Sequence, residues 1–229
     1  MNHPRIQRLL PAFLRNYILN FEACIENSVA AFSADLQPGA WVLDAGAGEG
    51  AHATYFGRQR YIALDLGVGD ASWNYSGLDA IGDLTALPFC DGSFDAAINI
   101  VTLEHIREPG TALKEIYRVL RPGGRLLLVA PHEWEVHQSP HDYFRYTRHG
   151  LGYLLEKAGF AENAVSAVGG YFRLLSRRLL NGLQFFRGFP LLIAALFLAP
   201  PALFLPCLDF IDKKRDFTLG YICTARKQA

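Results

Sequence analysis

Three histidines stand where a side chain could take a proton from a bound molecule: His105 in T-L-E-H, His132 in P-H-E-W-E, and His141 in H-Q-S-P-H-D-Y-F-R-Y-T. Imidazole titrates near neutrality and so suits removal of a proton from a hydroxyl as a new bond forms. His141 precedes Asp142, a carboxylate able to orient a ring, and this pair is the leading candidate for a general base. Its competing role is to pin the loop by hydrogen bonds to Arg145 or the backbone. His105 is better suited to capping the following helix or lining the pocket, and His132 is placed for substrate. Tyr143, Phe144 and Tyr146 could stack on a ring or pack inward, and Arg145 could grip a phosphate or carboxylate.

A second constellation lies upstream, in W-V-L-D-A-G-A-G-E-G at 41–50. Glycine at every second position removes side chains where the backbone must turn tightly and let a ligand approach. Asp65 ends the apolar run Y-I-A-L-D-L about twenty residues beyond Asp44, the distance at which an acid meets ribose hydroxyls in nucleotide-binding βαβ units. The glycine spacing is not G-x-G-x-x-G, and Glu49 would repel a diphosphate at a helix amino end.

The elements that must position these groups alternate as in an α/β chain. Trp41–Leu43 and Tyr61–Leu66 read as buried strands, Asp79–Gly82 as a short third, Phe94–Val101 as a fourth and Arg125–Ala130 as a fifth. Helices are expected over Ala51–Gly57, over Pro109–Leu120 with Arg121-Pro122-Gly123-Gly124 as its stop, and over Leu151–Ala158. Residues 13–36 carry apolar positions at helical spacing from Phe13 to Val29, a lid or a cover for the sheet edge. Phe217–Ala225 reads as a closing strand. Ligands in such sheets bind outside the carboxyl ends of the strands, which is where both constellations fall.

Four segments in order carry a resemblance: D-A-G-A-G-E-G at 44–50, Y-I-A-L-D-L at 61–66, G-D-L-T-A-L-P-F-C-D-G-S-F-D at 82–95, and L-K-E-I-Y-R-V-L-R-P-G-G-R-L-L-L-V-A-P at 113–131. From about Trp41 to Phe160 the chain resembles the class I S-adenosylmethionine-dependent methyltransferases of small-molecule type. The resemblance implies a Rossmann-like sheet of seven mostly parallel strands with helices on both faces and the last strand antiparallel. It implies S-adenosylmethionine as cofactor, bordered by Asp44, Ala45, Gly46, Gly48 and Gly50 at its methionine end. Asp65 with Leu66 would meet the ribose, Asp83 with Leu84 the adenine, and Asn99 would join them from strand four. A cationic sulfonium donor without phosphate also agrees with the acids in the loop.

Lys plus Arg and Asp plus Glu are both 22, so no overall field draws the protein to nucleic acid. Four scattered cysteines give neither a disulfide framework nor a zinc cluster, no other metal cluster is evident, and a reducing cytoplasm is expected. The charged, proline-bearing start, M-N-H-P-R-I-Q-R-L-L-P, does not suit an export signal. One methyltransferase domain over 1–229 is expected: a lid at 1–38, the cofactor core at 41–168, an apolar helical insertion at 169–216 and the closing strand at 217–229.

The insertion holds a charge-free run, Gly188–Leu208, with Arg173, Arg177, Arg178 and Arg187 before it and Lys213, Lys214 and Arg215 after it. Pro190, Pro200, Pro201 and Pro206 are expected to cut that run into pieces too short to span a bilayer as one helix. A peripheral hairpin at the cytoplasmic membrane is then the leading reading, with a dimer interface or a substrate cap as the others. P-H-E and P-H-D-Y-F-R-Y-T resemble methyltransferases of surface-polysaccharide and glycolipid pathways, which implies O-methylation of a sugar or glycolipid. The alternatives are methylation of a lipid-soluble ring such as a quinone or polyketide, and a non-catalytic Rossmann-like binding module. A nicotinamide oxidoreductase is disfavoured by the glycine spacing.

Overall fold

The structure is a computed structural model that describes residue 17, residues 20–69 and residues 72–228. The expectations for the amino-terminal segment and for the start of the first helix at Phe13 lie outside the described residues. The described chain forms two compact units, one of residues 25–166 with 221–228, the other of residues up to 24 with 167–220.

Alternating strands and helices build the larger unit. Helix α1 (Asn20–Ala34) leads into β1 (Trp41–Ala45), β2 (Arg60–Asp65), β3 (Ala80–Ile81) and β4 (Phe94–Ile100). Helix α2 (Pro109–Val119), β5 (Leu120–Pro131), α3 (Arg148–Ala158), β6 (Ala161–Val168) and β7 (Gly220–Arg226) follow, with the helices of the second unit between the last two strands in sequence. The seven strands are ordered β3-β2-β1-β4-β5-β7-β6, mostly parallel with the last strands antiparallel, as expected for a Rossmann-like sheet. β1 pairs with β2 from Trp41↔Arg60 to Ala45↔Leu64 and with β4 from Val42↔Ala96 to Asp44↔Ile98. Val42, Leu43, Ala45, Ala96, Ala97 and Ile98 are buried, as unbroken apolar runs in central parallel strands should be.

Three expectations are corrected here. Ala51–Gly57 forms no α-helix; only a 3₁₀ turn at Ala53–Phe56 follows the glycine loop. Arg121-Pro122-Gly123-Gly124 is not a stop between helix and strand, because β5 starts at Leu120 and carries these residues as a bulge. Phe94 pairs with Leu120 and Ala96 with Arg125, so the strand absorbs the extra residues without losing its place beside β4. β6 was not foreseen: its A-E-N-A-V-S-A-V alternates exposed and half-buried positions and lacks the apolar run that marks a central strand.

The second unit holds α4 (Tyr171–Gly182), α5 (Gly188–Phe204) and a 3₁₀ continuation, Leu205–Ile211. Two carboxylates cap α4: Asp209 accepts from the Gly170 and Arg173 amides at 3.1 Å, and Asp212 from Tyr171 at 2.8 Å. They satisfy orphan amide donors at the positive end of the helix. Ser176 donates to the Ala202 carbonyl at 2.5 Å, tying α4 to α5. The prolines do not break the apolar run as expected. Pro190 sits in the first turn, where no amide is needed, and the helix continues through Pro200 and Pro201. Gly188–Ile211 is long and apolar enough, by length and composition, to cross a membrane, and little of it is buried.

Candidate active site

The carboxyl ends of β1, β2 and β4 meet around the glycine loop. Gly46, Gly48 and Gly50 take φ of +91°, +55° and +74°, the left-handed region that residues with a side chain rarely occupy. At Gly46 a methyl group would stand 2.2 Å from Thr102 Cγ2, and the Thr102 hydroxyl donates to the Gly46 carbonyl at 3.0 Å. Thr102 follows Val101, a β-branched residue held at φ +51°, so strain is stored where the ends of β1 and β4 touch.

Asp44 is fully buried beneath this loop. Its Oδ2 accepts from the Tyr61 hydroxyl and lies 3.6 Å from His52 Nδ1, while Oδ1 is buried without a hydrogen-bond partner. Burial and the Asp44 charge together push the Tyr61 phenol upward, so it stays a donor. Asn99, also fully buried, donates to the Ala45 carbonyl at 2.6 Å, and its Oδ1 likewise has no partner. Two orphaned acceptors this deep are costly unless a ligand supplies donors.

Asp65 stitches the loop from β2: one oxygen accepts from the Gly48 amide at 2.9 Å, the other from Gly67 at 2.8 Å. Each oxygen keeps further acceptor capacity. Leu66 beside it is 51% exposed, an apolar surface left open at a strand end. Asp83 is exposed and accepts from the Thr85 amide and hydroxyl, both at 2.8 Å, and Leu84 is buried. Sequence reasoning missed Trp73. A side chain at Gly48 would meet its ring at 3.3 Å, and Glu49 accepts from the neighbouring Asn74 amide at 2.8 Å. The only signal was a tryptophan in an otherwise polar stretch.

The histidine constellation forms where the 3₁₀ turn Leu103–His105 meets the loop after β5. Tyr143 and Phe144 donate backbone amides to the Glu104 carbonyl at 2.9 and 3.2 Å. His105 Nδ1 faces the His141 carbonyl at 2.5 Å, and His132 Nδ1 faces the Tyr146 carbonyl at 2.7 Å. A carbonyl only accepts, so both rings carry their proton on Nδ1 and leave Nε2 as the basic nitrogen. Desolvation lowers the His105 pKa further and keeps that ring neutral.

Three assignments are corrected. Asp142 does not pair with His141. It is held by Arg145, at 2.6 and 2.8 Å, and accepts the His137 amide at 2.9 Å, which pulls its carboxyl down to about 2. His141 is exposed, with Nδ1 3.1 Å from the Tyr143 hydroxyl. Arg145 has no hydrogen left for an anion: besides Asp142 it donates to the carbonyls of Trp134, Glu135 and Phe144. Tyr146 is 6% exposed and donates to the Leu103 carbonyl, so it packs inward instead of facing an acceptor. Tyr143 accepts from Arg107 at 2.9 Å.

Sequence reasoning also passed over Glu104. It is fully buried with neither carboxylate oxygen hydrogen-bonded, and burial pushes its carboxyl up to about 8.

A family model described as a methyltransferase domain matches residues 43–128. The chain is 39% identical over 97 residues to a demethylmenaquinone methyltransferase of Renibacterium salmoninarum, covering 40% of this chain and 41% of that protein. It is 36% identical over 107 residues to a fatty-acid O-methyltransferase of Mycolicibacterium smegmatis, covering 42% and 39%. The chain thus spans about two fifths of the length of these curated relatives. The structure of Burkholderia thailandensis 1,6-didemethyltoxoflavin-N1-methyltransferase, solved with S-adenosylhomocysteine, matches over 95% of this chain and 86% of that one. Its TM-score is 0.57 at 22% identity, a likeness of fold. Residues 43–128 are thus similar to the methyltransferase-domain family, and the sheet that carries them has the fold of a solved methyltransferase.

Proposed function

We propose that the protein binds S-adenosylmethionine in the crevice around Gly46–Gly50 and transfers its methyl group to a lipid-soluble acceptor. The observation that carries the cofactor reading is the buried Asp44 carboxylate, whose Oδ1 lacks a donor beneath a loop stripped of side chains. With Asp65 and Glu49 close by, the crevice is acidic, which suits a cation bearing an amino group and would repel a diphosphate.

S-adenosylmethionine supplies an electrophilic methyl group on a positively charged sulfur. The chain's own work is positioning and proton handling. Asp44 and Asn99 offer acceptors from the floor, Asp65 offers ribose-directed lone pairs, and Thr102 holds the strand-four end against the loop. Where the acceptor atom is a hydroxyl, His132 is the better base, since Tyr146 fixes its tautomer with Nε2 basic.

Two lines of support favour a lipid-soluble acceptor over the sugar expected from the P-H-E segments. The named activities of the relatives concern a demethylmenaquinone and a fatty acid. The second unit also exposes an apolar face on α5, with Phe189 at 72%, Leu192 at 67%, Leu196 at 69% and Phe197 at 70%. That face is charge-free, and Lys213 and Arg215 follow it in sequence, a composition that fits a bilayer surface with anionic headgroups. Arg173 and Arg177 are not part of that contact, because they pair with Asp209 and Glu22. We read the attachment as peripheral, at the cytoplasmic membrane, because α5 lies in the chain between two strands of one sheet and is tied along α4 by the Ser176 hydrogen bond to Ala202, although its length alone would let it cross.

The test is turnover with radiolabelled S-adenosylmethionine and a membrane lipid extract. Label entering a quinone or other apolar lipid supports the reading. Tight cofactor binding with no label transferred to any fraction would make the protein a binding module.

A further inference from the structure

We propose that Glu104, His105 and His137 form a binding site for a divalent transition-metal ion of the zinc type. The three residues come from two loops, the 3₁₀ turn after β4 and the segment after β5, and each offers one donor atom. Those atoms all lie within 4.8 Å of one another. Two imidazoles with one carboxylate is a donor set that binds first-row divalent cations such as zinc.

The distances exclude the ordinary explanation, a hydrogen-bonded triad. His105 Nε2 and His137 Nε2 stand 3.7 and 3.8 Å from the same oxygen, Glu104 Oε1, beyond hydrogen-bond reach. Bonds of about 2.0–2.2 Å around a tetrahedral ion put its ligands roughly 3.3–3.5 Å apart. Adjustments of a few tenths of an ångström bring each imidazole to the right spacing from the carboxylate oxygen, and the widest pair of donor atoms, at most 4.8 Å apart, must close by up to about 1.5 Å.

A second, independent observation points to a ligand. Glu104 is 0% exposed and both of its oxygens, together with His105 Nε2, are buried with no hydrogen-bond partner. Orphaned polar atoms on neighbouring side chains are costly in a dry interior, and a cation held by Glu104 and His105 would supply the missing partner.

The rings are also held as metal ligands usually are. His105 Nδ1 is fixed by the His141 carbonyl at 2.5 Å. His137 Nδ1 faces the Glu135 carbonyl at 3.1 Å and Asp142 Oδ2 at 3.5 Å, and Asp142 takes the His137 amide. Arg145 lies 3.4 Å from His137 Nδ1, but its hydrogens are engaged by stronger acceptors and its charge is balanced by Asp142. Outer partners of this kind set the tautomer and aim Nε2 at the ion. Three protein ligands leave a coordination position for a water or an acceptor oxygen. The metal reading stands apart from methyl transfer and is tested without it.

The experiment uses the full chain stripped with chelator, titrated with zinc against a chromophoric competitor and with cobalt(II) by visible absorption. One equivalent is expected to bind, with a cobalt spectrum of nitrogen and oxygen ligation. That spectrum separates the site from the exposed thiols Cys90 and Cys207, which would add a thiolate-to-cobalt band. Glu104→Gln and His137→Ala are each expected to weaken binding by at least about 100-fold, while Tyr153→Phe, far along α3, leaves it unchanged. His137 is 25% exposed, so its variant serves if Glu104→Gln does not fold. Absence of stoichiometric binding by the wild type, or wild-type affinity in either folded variant, overturns the site.

Discussion

Arg145 places both terminal nitrogens on the carboxylate of Asp142, at 2.6 and 2.8 Å, and so anchors the loop that follows β5. Asp142→Asn is expected to lower stability by about 2 kcal/mol, as loss of a largely buried, charge-assisted pair does when one partner stays near solvent. Because the folded carboxyl is pulled down to about 2, its contribution is present above the unfolded value near 3.8 and is lost as the pH falls toward about 2. Urea unfolding of wild type and variant over that range checks the sign: their difference must shrink with acid.

The same contact leaves His141 without the carboxylate partner that would orient it. For a hydroxyl acceptor, His132→Ala is expected to lower kcat by about 100-fold or more, with cofactor affinity retained, and His141→Ala to change it by less than about threefold. Steady-state rates for the two variants decide between the rings.

Gly46→Ala would place a methyl group against Thr102 in a backbone conformation that alanine disfavours. It is expected to cost about 1–3 kcal/mol of stability and to weaken cofactor binding by at least about tenfold. Thermal unfolding and a binding titration measure the two effects separately.

The elements that hold the cofactor crevice were legible because their signals are local. β1, β2 and β4 are continuous apolar runs, and the glycines at 46, 48 and 50 mark positive φ one position at a time. What escaped depends on distant partners or on edge positions. β6 alternates with little apolar character, and the Arg121–Gly124 turn signal was overridden by pairing of Leu120 and Arg125 with β4. The convergence of Glu104 and His137 is set by two loops thirty-odd residues apart, which no spacing rule reports. Asp142 could be assigned to Arg145 or to His141 from sequence, and only the fold chose.

The exposed face of α5 gives a further test. Anionic lipid vesicles are expected to sediment the intact protein, and Leu196→Glu with Phe197→Glu to weaken that partition by at least about 100-fold, since two large apolar side chains would lose their burial. A protein that ignores vesicles but elutes as a dimer, and becomes monomeric in the double variant, would assign the face to a second copy.

Calorimetric titration of the full chain with S-adenosylhomocysteine, repeated with Asp44→Ala, bears most directly on the crevice. The expected result is one site per chain, weakened by at least about tenfold in the variant because the buried carboxylate is an acceptor for the ligand. Failure of the wild type to bind it, or saturable binding of a nicotinamide dinucleotide in its place, would contradict the account.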